Sequence, residues 1–270
     1  MLKDITLGQY FPGKTAIHRM DPRIKISLVF LYIIILFIAD GLYAYLLLFV
    51  WLCAAIAVSR IKPAIILRGI KPIIFVIALT GVLNMFYTPG TPVFELFGGR
   101  ISVTYEGLET AVYMIVRIVM LITGTFLLTY TTSPLMLTDG IELLLGPLKK
   151  LRVPVHELAM MMTIALRFIP TLIEETDKIM SAQKARGADF ETGSLFSRAK
   201  ALIPLLVPLF ISAFRRADEL AVAMECRCYR GGEGRTRLRS LKYSMVDLYS
   251  SLISAAVFGG VIVFRIFGIV

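Results

Sequence analysis

The sequence that decides the fold runs from Ile26 to Val58 and reads ISLVFLYIIILFIADGLYAYLLLFVWLCAAIAV. Asp40 is its one charged residue. As a single helix this stretch would be about 50 Å long, whereas the hydrocarbon core of a bilayer is about 30 Å thick. We therefore predict two antiparallel membrane spans that turn at Asp40-Gly41. The first span is short, and Arg23 and Lys25 extend from its start to the membrane surface.

The composition of the whole chain agrees with a membrane protein. Hydrophobic residues make up 57% of the 270 residues, against about 45–50% in a typical soluble domain. The mean hydropathy is +0.77, yet the net charge is +10. Because the Lys and Arg residues lie between apolar runs, the positive-inside rule explains them without a nucleic-acid partner, and we predict none.

Three more apolar runs predict three more spans. They extend over Ile73–Tyr87, Leu108–Tyr130 and Leu248–Val270. Between the first two of these, the segment Val93–Val103 carries alternating apolar residues around Gly98-Gly99, which predicts a small β-hairpin.

Residues 135–243 differ from the spans because they hold 17 Lys/Arg and 12 Asp/Glu but stay rich in Leu, Met and Ala. This pattern predicts amphipathic helices that lie against the membrane and against each other. We divide the chain into an N-terminal transmembrane region of four spans (1–133), a cytoplasmic region of long helices (134–243) and a C-terminal transmembrane helix (244–270). The helices of the middle region are predicted at Leu135–Leu151, Val155–Ala188 and Leu195–Tyr229.

The fold class that follows is an all-α polytopic membrane protein with about five transmembrane helices plus long amphipathic cytoplasmic helices. The basic segments 1–25, 60–71 and 135–243 belong on the cytoplasmic side. An odd number of spans then places the N-terminus in the cytoplasm and the C-terminus outside.

The stretch Gly8–Thr15 matches the P-loop pattern G-x-x-x-x-G-K-T. A P-loop follows a hydrophobic strand and opens a helix, so that backbone amides point at the phosphates. Here no such strand precedes the match, and Pro22 comes seven residues after Thr15. We therefore predict that this chain binds no ATP.

Two further features have a structural and a functional interpretation. Arg117 lies near the middle of the fourth span, where a charge is costly, and we favour a structural role for it over an ion-coupling role. Met160, Met161 and Met162 form a soft apolar patch that suits contact with a partner subunit or ordinary helix packing. No group of residues has the spacing of a metal site.

The most informative feature is a loose internal repeat. The segment Ala182–Gly187 resembles the segment Ala223–Cys228, which begins 41 residues later, and each ends a long predicted helix. Arg186 and Arg227 extend the apolar stripes of these helices, whereas Glu174, Glu175, Asp177 and Lys178 are assigned to a charged face. A cation at a helix C-terminus is stabilised by the helix dipole, but two such units favour a docking role.

Taken in order, four stretches resemble the transmembrane (T) component of energy-coupling factor (ECF) transporters, which are prokaryotic vitamin and metal importers of the ATP-binding-cassette class. The resemblance covers nearly the whole chain. The stretches are His18–Lys25, Thr104–Leu108 with Arg117, Arg167–Pro170 with Ala182–Gly187, and Ala223–Tyr229.

The resemblance implies a non-catalytic coupling subunit in a prokaryotic cell membrane. It implies two ABC-type ATPase subunits that bind ATP and Mg and dock on the two Ala-Arg-Gly ends, and a separate membrane-embedded subunit that binds the vitamin. On this chain the docking residues are Ala185, Arg186, Gly187, Cys226, Arg227 and Cys228. Cys226 and Cys228 depart from the family pattern of Ala and Gly. We expect Gly231-Gly232 to end that helix instead.

Two other classes of protein remain as alternatives. The permease subunit of a conventional ABC importer has one coupling motif of the Glu-Ala-Ala type, which the sequence lacks. A secondary transporter is expected to have inverted repeats and broken spans, and the repeat here lies in the cytoplasmic segment alone.

Overall fold

The computed structural model describes residues 10–96, 101–188, 190, 194–232 and 241–268. Within them the chain folds into α-helices and one β-hairpin. The elements are α1 (Ala16–Arg19), α2 (Pro22–Ile38), α3 (Leu42–Ser59), α4 (Pro63–Ile70), α5 (Ile74–Tyr87), β1 (Pro92–Leu96), β2 (Ile101–Thr104), α6 (Tyr105–Thr131), α7 (Pro134–Leu144), α8 (Val155–Ala185), α9 (Leu195–Cys226) and α10 (Met245–Ile266). The 3₁₀ turns Lys71–Ile73 and Gly146–Leu151 follow α4 and α7.

Five helical segments of the described chain are long and apolar enough to cross a membrane, judged by length and composition: α3, α4 with α5, α6, α8 and α10. The predicted fold class is therefore confirmed. These five segments differ from the five predicted spans in two respects: α2 is not among them, and α8 is. The helix α2 has only 17 residues, so it is slightly short for a span. The helix α8 is apolar enough in part of its 31 residues, although its sequence also carries many charges.

The described residues divide into two compact units. One unit falls within Gly8–Gly140 and Leu241–Val270, and the other within Ile141–Ser240.

The first unit is a helix bundle whose core is aromatic and aliphatic. Tyr32, Leu36 and Leu48 are almost completely buried, and Met120 of α6 and Val261 of α10 join them. The Tyr32 hydroxyl donates to the Met120 carbonyl over 3.1 Å. Gly41, with φ +77°, makes the turn between α2 and α3, where the sequence predicts it.

A cluster of buried charged groups joins α2 and α10 at one end of this bundle. The Asp247 carboxylate accepts from the backbone N–H of Asp21 at 2.8 Å and of Ser244 at 2.7 Å. The Asp21 carboxylate in turn accepts from the Arg23 guanidinium at 2.8 Å. Burial works to raise the pKa of Asp21, but the hydrogen bonds from Arg23 outweigh it and hold that pKa below its ordinary value.

Further hydrogen bonds show which helix ends lie together. The Lys25 ammonium donates to the Thr131 carbonyl at 3.0 Å, so α6 ends where α2 begins. The Arg265 guanidinium donates to the Ile38 carbonyl at 2.7 Å, so α10 and α2 also end together. The described N-terminal residues and the end of α10 therefore lie at opposite ends of this bundle.

We expect Asp247→Ala to destabilise the bundle strongly. Asp247 is only 1% exposed, and its loss leaves the buried N–H of Asp21 and the N–H of the exposed Ser244 without their protein acceptor. The expected cost is about 2–4 kcal/mol. The measurement is the thermal unfolding of the detergent-solubilised chain, with the folded fraction at each temperature determined by size-exclusion chromatography. Asp40→Ala is the control, because Asp40 is exposed and its carboxylate accepts from the N–H of its neighbour Gly41. Equal melting temperatures for the two variants would contradict this role of Asp247.

The predicted hairpin is confirmed. The strands β1 and β2 pair antiparallel, with Phe94 opposite Val103 and Leu96 opposite Ile101. The predicted turn at Gly98-Gly99 lies outside the described residues. The hairpin leads directly into α6, whose Glu106 carboxylate accepts from the Thr91 N–H at 2.8 Å.

The second unit contains α8 and α9, which pack against each other. Both begin where the sequence predicts, and each ends three residues earlier than predicted. Pro170 lies inside α8, and Pro204 and Pro208 lie inside α9.

Candidate functional site

The helix α8 closes with a hydrogen-bonded turn at the predicted docking residues. The N–H of Gly187 donates to the carbonyl of Lys184, and the N–H of Ala188 donates to the carbonyl of Gln183, both at 3.0 Å. These are the two bonds of a Schellman motif, in which a left-handed residue just past the helix satisfies its last carbonyl groups.

The helix α9 closes in the same way 41 residues later. The N–H of Cys228 donates to the carbonyl of Glu225 at 2.8 Å, and the N–H of Tyr229 donates to the carbonyl of Met224 at 3.0 Å. Segments 183–188 and 224–229, which we call the two helix ends, therefore share one backbone geometry. The repeat found in the sequence is also a repeat of structure.

The second helix end reaches this geometry without a glycine. Gly187 has φ +87°, and Cys228 at the equivalent position has φ +55°. The expectation that Gly231-Gly232 would end the helix is wrong, because Cys228 itself adopts the left-handed conformation. A residue with a Cβ pays a steric cost there of roughly 1–2 kcal/mol, so the helix end carries backbone strain.

We expect opposite effects from exchanging the residue type at the two positions. Cys228→Gly should stabilise the second helix end, and Gly187→Ala should destabilise the first, each by about 1 kcal/mol. A Cβ at Gly187 meets nothing within 4 Å, so backbone strain is the one cost. The measurement is hydrogen exchange of the Ala188 and Tyr229 amides, with about a fivefold change expected for each.

Gly146→Ala is the matched control for that experiment. A Cβ at Gly146 also meets nothing within 4 Å, and its φ is not in the left-handed region. Exchange at either helix end should therefore stay as in the parent. Equal exchange in Cys228→Gly and the parent would show that the second helix end carries no strain.

The two arginines project from these helix ends. Arg186 and Arg227 are both exposed, as are the flanking Ala185 and Gly187, and Cys226 and Cys228. Among the described residues, neither guanidinium has a hydrogen-bond or ion-pair partner. An exposed planar guanidinium with small neighbours is available to a carboxylate or to backbone carbonyls of another protein.

The bodies of the two helices meet at an ion pair that the sequence analysis missed. The Arg216 guanidinium of α9 donates to the Glu175 carboxylate of α8 over 2.6 Å, and both side chains are partly buried. Glu175 therefore faces α9, a contact that its assignment to a charged face of α8 did not predict. Glu175 and Arg216 are 41 residues apart, which is the offset of the repeat. Applying that offset to residues before the repeated segments would have indicated this pair.

The direction of packing follows from a second contact. The Gln183 side-chain nitrogen lies 3.5 Å from the Pro204 carbonyl oxygen. Glu175 of α8 contacts Arg216 of α9, whereas Gln183, later in α8, lies next to Pro204, earlier in α9. The two helices therefore run antiparallel. Each arginine of the helix ends lies eleven residues past the ion pair, which is about 16 Å of helix. The two helix ends consequently point in opposite directions along the helix pair.

The methionine patch lies on the surface of the second unit. Met161 and Met162 are 55% and 56% exposed, whereas Met160 is partly buried. A larger apolar surface on α9 was not predicted. We call it the α9 stripe, and its residues are more than half exposed and spaced along one helix face. The stripe consists of Ile203, Val207, Phe210, Ile211 and Phe214.

Arg117 lies inside the bundle of the first unit and has side-chain partners there. Its Nε donates to the Tyr45 hydroxyl at 2.7 Å. Its guanidinium carbon also lies 5.9 Å from the centre of the Phe37 ring. The hydroxyl and the ring partly replace the water that a charge loses at this depth.

The part of the P-loop match that the structure describes begins at Tyr10, so Gly8 and Gln9 lie outside it. The Thr15 hydroxyl is 2.6 Å from His18 Nδ1, and His18 Nε2 is 3.0 Å from the Phe11 carbonyl. The helix that directly follows, α1, has only four residues. Thr15 is thus engaged locally by His18, unlike the metal-binding hydroxyl of a P-loop.

Comparisons with known proteins cover nearly the whole chain. The family model described as "Cobalt transport protein", CbiQ, matches residues 13–238. A protein of Clostridium kluyveri is 57% identical over 253 residues, which cover 93% of each chain. A protein of Ruminiclostridium cellulolyticum is 53% identical over 248 residues, covering 92% of each. A protein of Bacillus subtilis is 47% identical over 265 residues, covering 98% of this chain and 99% of that protein. All three are named energy-coupling factor transporter transmembrane protein EcfT.

Proposed function

This chain belongs to the CbiQ family and is the transmembrane component of an energy-coupling factor transporter, and from that premise we propose how it couples ATP to transport. It links ATP hydrolysis by two ABC-type ATPase subunits to uptake of a vitamin or micronutrient by a separate substrate-binding membrane subunit. The observation that carries this proposal is the pair of helix ends with one geometry and one projecting arginine each.

Two anchors suit the mechanical task. Arg186 and Arg227 lie at equal distances from the Glu175–Arg216 pair and on ends that point in opposite directions. Each arginine docks on one ATPase subunit. We call the two segments between the Glu175–Arg216 pair and each helix end the arms of the α8–α9 pair. Movement of the two ATPase subunits then acts on both arms at once, whereas a single anchor would let the helix pair rotate about it.

The apolar surface of the second unit holds the substrate-binding subunit. The α9 stripe and the exposed Met161 and Met162 supply it, joined by Met160. Apolar contact is non-directional, and methionine side chains adapt to different partner shapes. Such a surface can hold a membrane subunit without fixing a single contact geometry.

The membrane orientation follows from charge. Arg60, Lys62 and Lys71 follow or flank helix ends at one side of the bundle, and the exposed Asp40 and the partly buried Glu106 belong to the other. The basic side lies in the cytoplasm by the positive-inside rule. The chain therefore has its N-terminus in the cytoplasm and its C-terminus outside, in the prokaryotic cell membrane.

The chain itself is not an enzyme in this proposal, and ATP and Mg are bound by the partner ATPase subunits. We expect the purified chain to show no ATP turnover and no tight vitamin binding. The helix that follows the P-loop-like stretch, α1, has only four residues, and Thr15 is hydrogen-bonded to His18, whereas a phosphate site lies at the start of a longer helix. The measurement is phosphate release by the isolated chain. Turnover that is lost in Lys14→Ala would contradict the proposal.

The proposed function is tested by affinity purification of the tagged chain from its native membranes. Quantitative mass spectrometry should find two ATPase subunits for each copy of the chain, together with a small membrane protein that binds the substrate. Recovery of a soluble binding protein instead would indicate a conventional ABC importer. Recovery of the chain alone, with ion-driven uptake in liposomes, would indicate a secondary transporter.

A further inference from the structure

Two cavities of the first unit adjoin each other at one end of the bundle. We call the first the basic recess. It has a volume of about 1080 Å³ and lies between the segment Phe11–Ala16 and the turn that joins α3 to α4. The second, the apolar cavity, has a volume of about 400 Å³ and lies among α2, α3, α6 and α10. Ala16 and Val58 line both cavities, so the two form one amphipathic space.

The charged residues that line the basic recess are all cations, among the residues that the structure describes. Lys14, Arg60 and Lys62 lie in its wall, and none of them has a hydrogen-bond or ion-pair partner among the described residues. Arg60 adopts a left-handed backbone with φ +56°, which turns the chain out of α3 and leaves Arg60 and Lys62 in the same wall. The chain has no Asp or Glu from residue 41 to residue 94. The recess therefore suits an anionic group.

The apolar cavity has the lining that a hydrocarbon chain requires. Leu28, Trp51, Ala54 and Leu128 are among its wall residues. The Lys25 ammonium at its edge already donates to the Thr131 carbonyl and the Thr132 hydroxyl. Water is not retained in a space with so few polar partners, whereas an acyl chain fills it without cost in hydrogen bonds.

We propose that this amphipathic space binds one anionic phospholipid. The phosphate lies in the basic recess against Lys14, Arg60 and Lys62, and one acyl chain enters the apolar cavity between the helices. The continuity of the two cavities favours a lipid over a free phosphate, which would occupy only the recess. Lys14, which the P-loop-like stretch places in the recess wall, thereby contacts a lipid phosphate instead of a nucleotide.

The test uses Trp51, which is the one tryptophan of the chain and lies in the wall of the apolar cavity. The full chain is reconstituted in nanodiscs of zwitterionic phosphatidylcholine, with increasing fractions of phosphatidylglycerol brominated on its acyl chains. Bromine quenches tryptophan fluorescence on contact. We expect quenching to saturate at a small fraction of the anionic lipid, whereas brominated phosphatidylcholine quenches in proportion to its fraction. Equal, proportional quenching by both lipids would overturn the proposal.

Charge variants locate the phosphate. Lys14→Gln, Arg60→Gln and Lys62→Gln should each raise the half-saturating fraction of anionic lipid by about fivefold, because each cation near a membrane surface contributes about that factor. Arg68→Gln is the matched control, since Arg68 follows on α4 but does not line the recess. Unchanged saturation in all three variants, or an equal shift in the control, would contradict the phosphate position.

Two further experiments distinguish a bound lipid from a bound free phosphate. Ala54→Phe should fill part of the apolar cavity and reduce the preference for the anionic over the zwitterionic lipid. Soluble glycerol phosphate should leave the quenching unchanged. Displacement of the brominated lipid by glycerol phosphate would show that the recess binds a phosphate group on its own, and would overturn the assignment to a lipid.

Discussion

Replacing both Arg186 and Arg227 by glutamate is expected to abolish assembly with the ATPase subunits while the chain stays folded in the membrane. A charge-assisted contact buried at an interface typically loses about 2–5 kcal/mol when one partner is removed. Two such losses weaken binding by more than about a thousandfold, since each 1.4 kcal/mol is a factor of ten. Each single variant should weaken binding or transport in part. Arg186→Glu should have at least as large an effect as Arg227→Glu, because its Ala-Arg-Gly motif is intact.

The measurement is capture of the ATPase subunits by the tagged chain, together with ATP-dependent uptake in proteoliposomes. Arg215→Glu is the control, because Arg215 is an exposed arginine of α9 outside the helix ends and makes the same change of charge. The control should assemble and transport like the parent. If the double variant also does so, the arginines only complement the helix dipoles and have no coupling role.

The second large effect is expected from Phe210→Asp combined with Phe214→Asp in the α9 stripe. These side chains are 61% and 68% exposed in the chain alone, which is unfavourable for aromatic groups of this size unless a partner or lipid covers them. Aromatic residues at the centre of an interface typically contribute about 2 kcal/mol or more each, so losing both should weaken binding of the substrate-binding subunit by about a thousandfold. Binding of the ATPase subunits should be unaffected.

Co-purification of each partner class from the same sample measures this separation. Leu151→Asp is the control, because Leu151 is 72% exposed but belongs to the 3₁₀ turn after α7. Met161→Asp should show a smaller loss in the same assay. Full recovery of the substrate-binding subunit with the Phe210/Phe214 double variant would place the interface elsewhere.

The bundle and the hairpin could be predicted because their signals are local. The run Ile26–Val58 is too long for one span and carries its turn residues at the middle, and α2 and α3 turn there. The hairpin is set by alternation around two glycines, and its strands pair as expected. The starts of α8 and α9 likewise agree with the sequence, since proline and polar residues precede them.

The missed features are those that need tertiary contacts. Glu175 lies among other charges on α8, so helix periodicity placed it on a charged face, and only the packing of α9 shows its partner Arg216. Cys228 is a residue type that rarely adopts positive φ, so the sequence favoured the nearby glycines. The α9 stripe was not predicted because an apolar helix face that contacts a partner has the same sequence pattern as one that is buried in its own fold.

The equal spacing of the helix ends from the Glu175–Arg216 pair gives the coupling account its mechanical form. The pair of helices acts as two arms of similar length joined at a contact near the middle. In the proposed mechanism, closure of the two ATPase subunits on ATP moves both arms and changes the shape of the apolar surface that holds the substrate-binding subunit. The account therefore requires that the two helix ends move relative to each other.

The most direct test is the distance between spin labels at residues 182 and 223 in the assembled transporter, measured by pulsed electron paramagnetic resonance. Ala182 and Ala223 are exposed, equivalent in the repeat and one turn before the arginines. The labelled cysteines are introduced where Cys53 is alanine, Cys226 is alanine and Cys228 is glycine, after transport by that background has been verified. The account predicts that the distance shortens when a non-hydrolysable ATP analogue closes the ATPase subunits, and that Arg186→Glu or Arg227→Glu removes the change. A distance that is the same with and without nucleotide would contradict it.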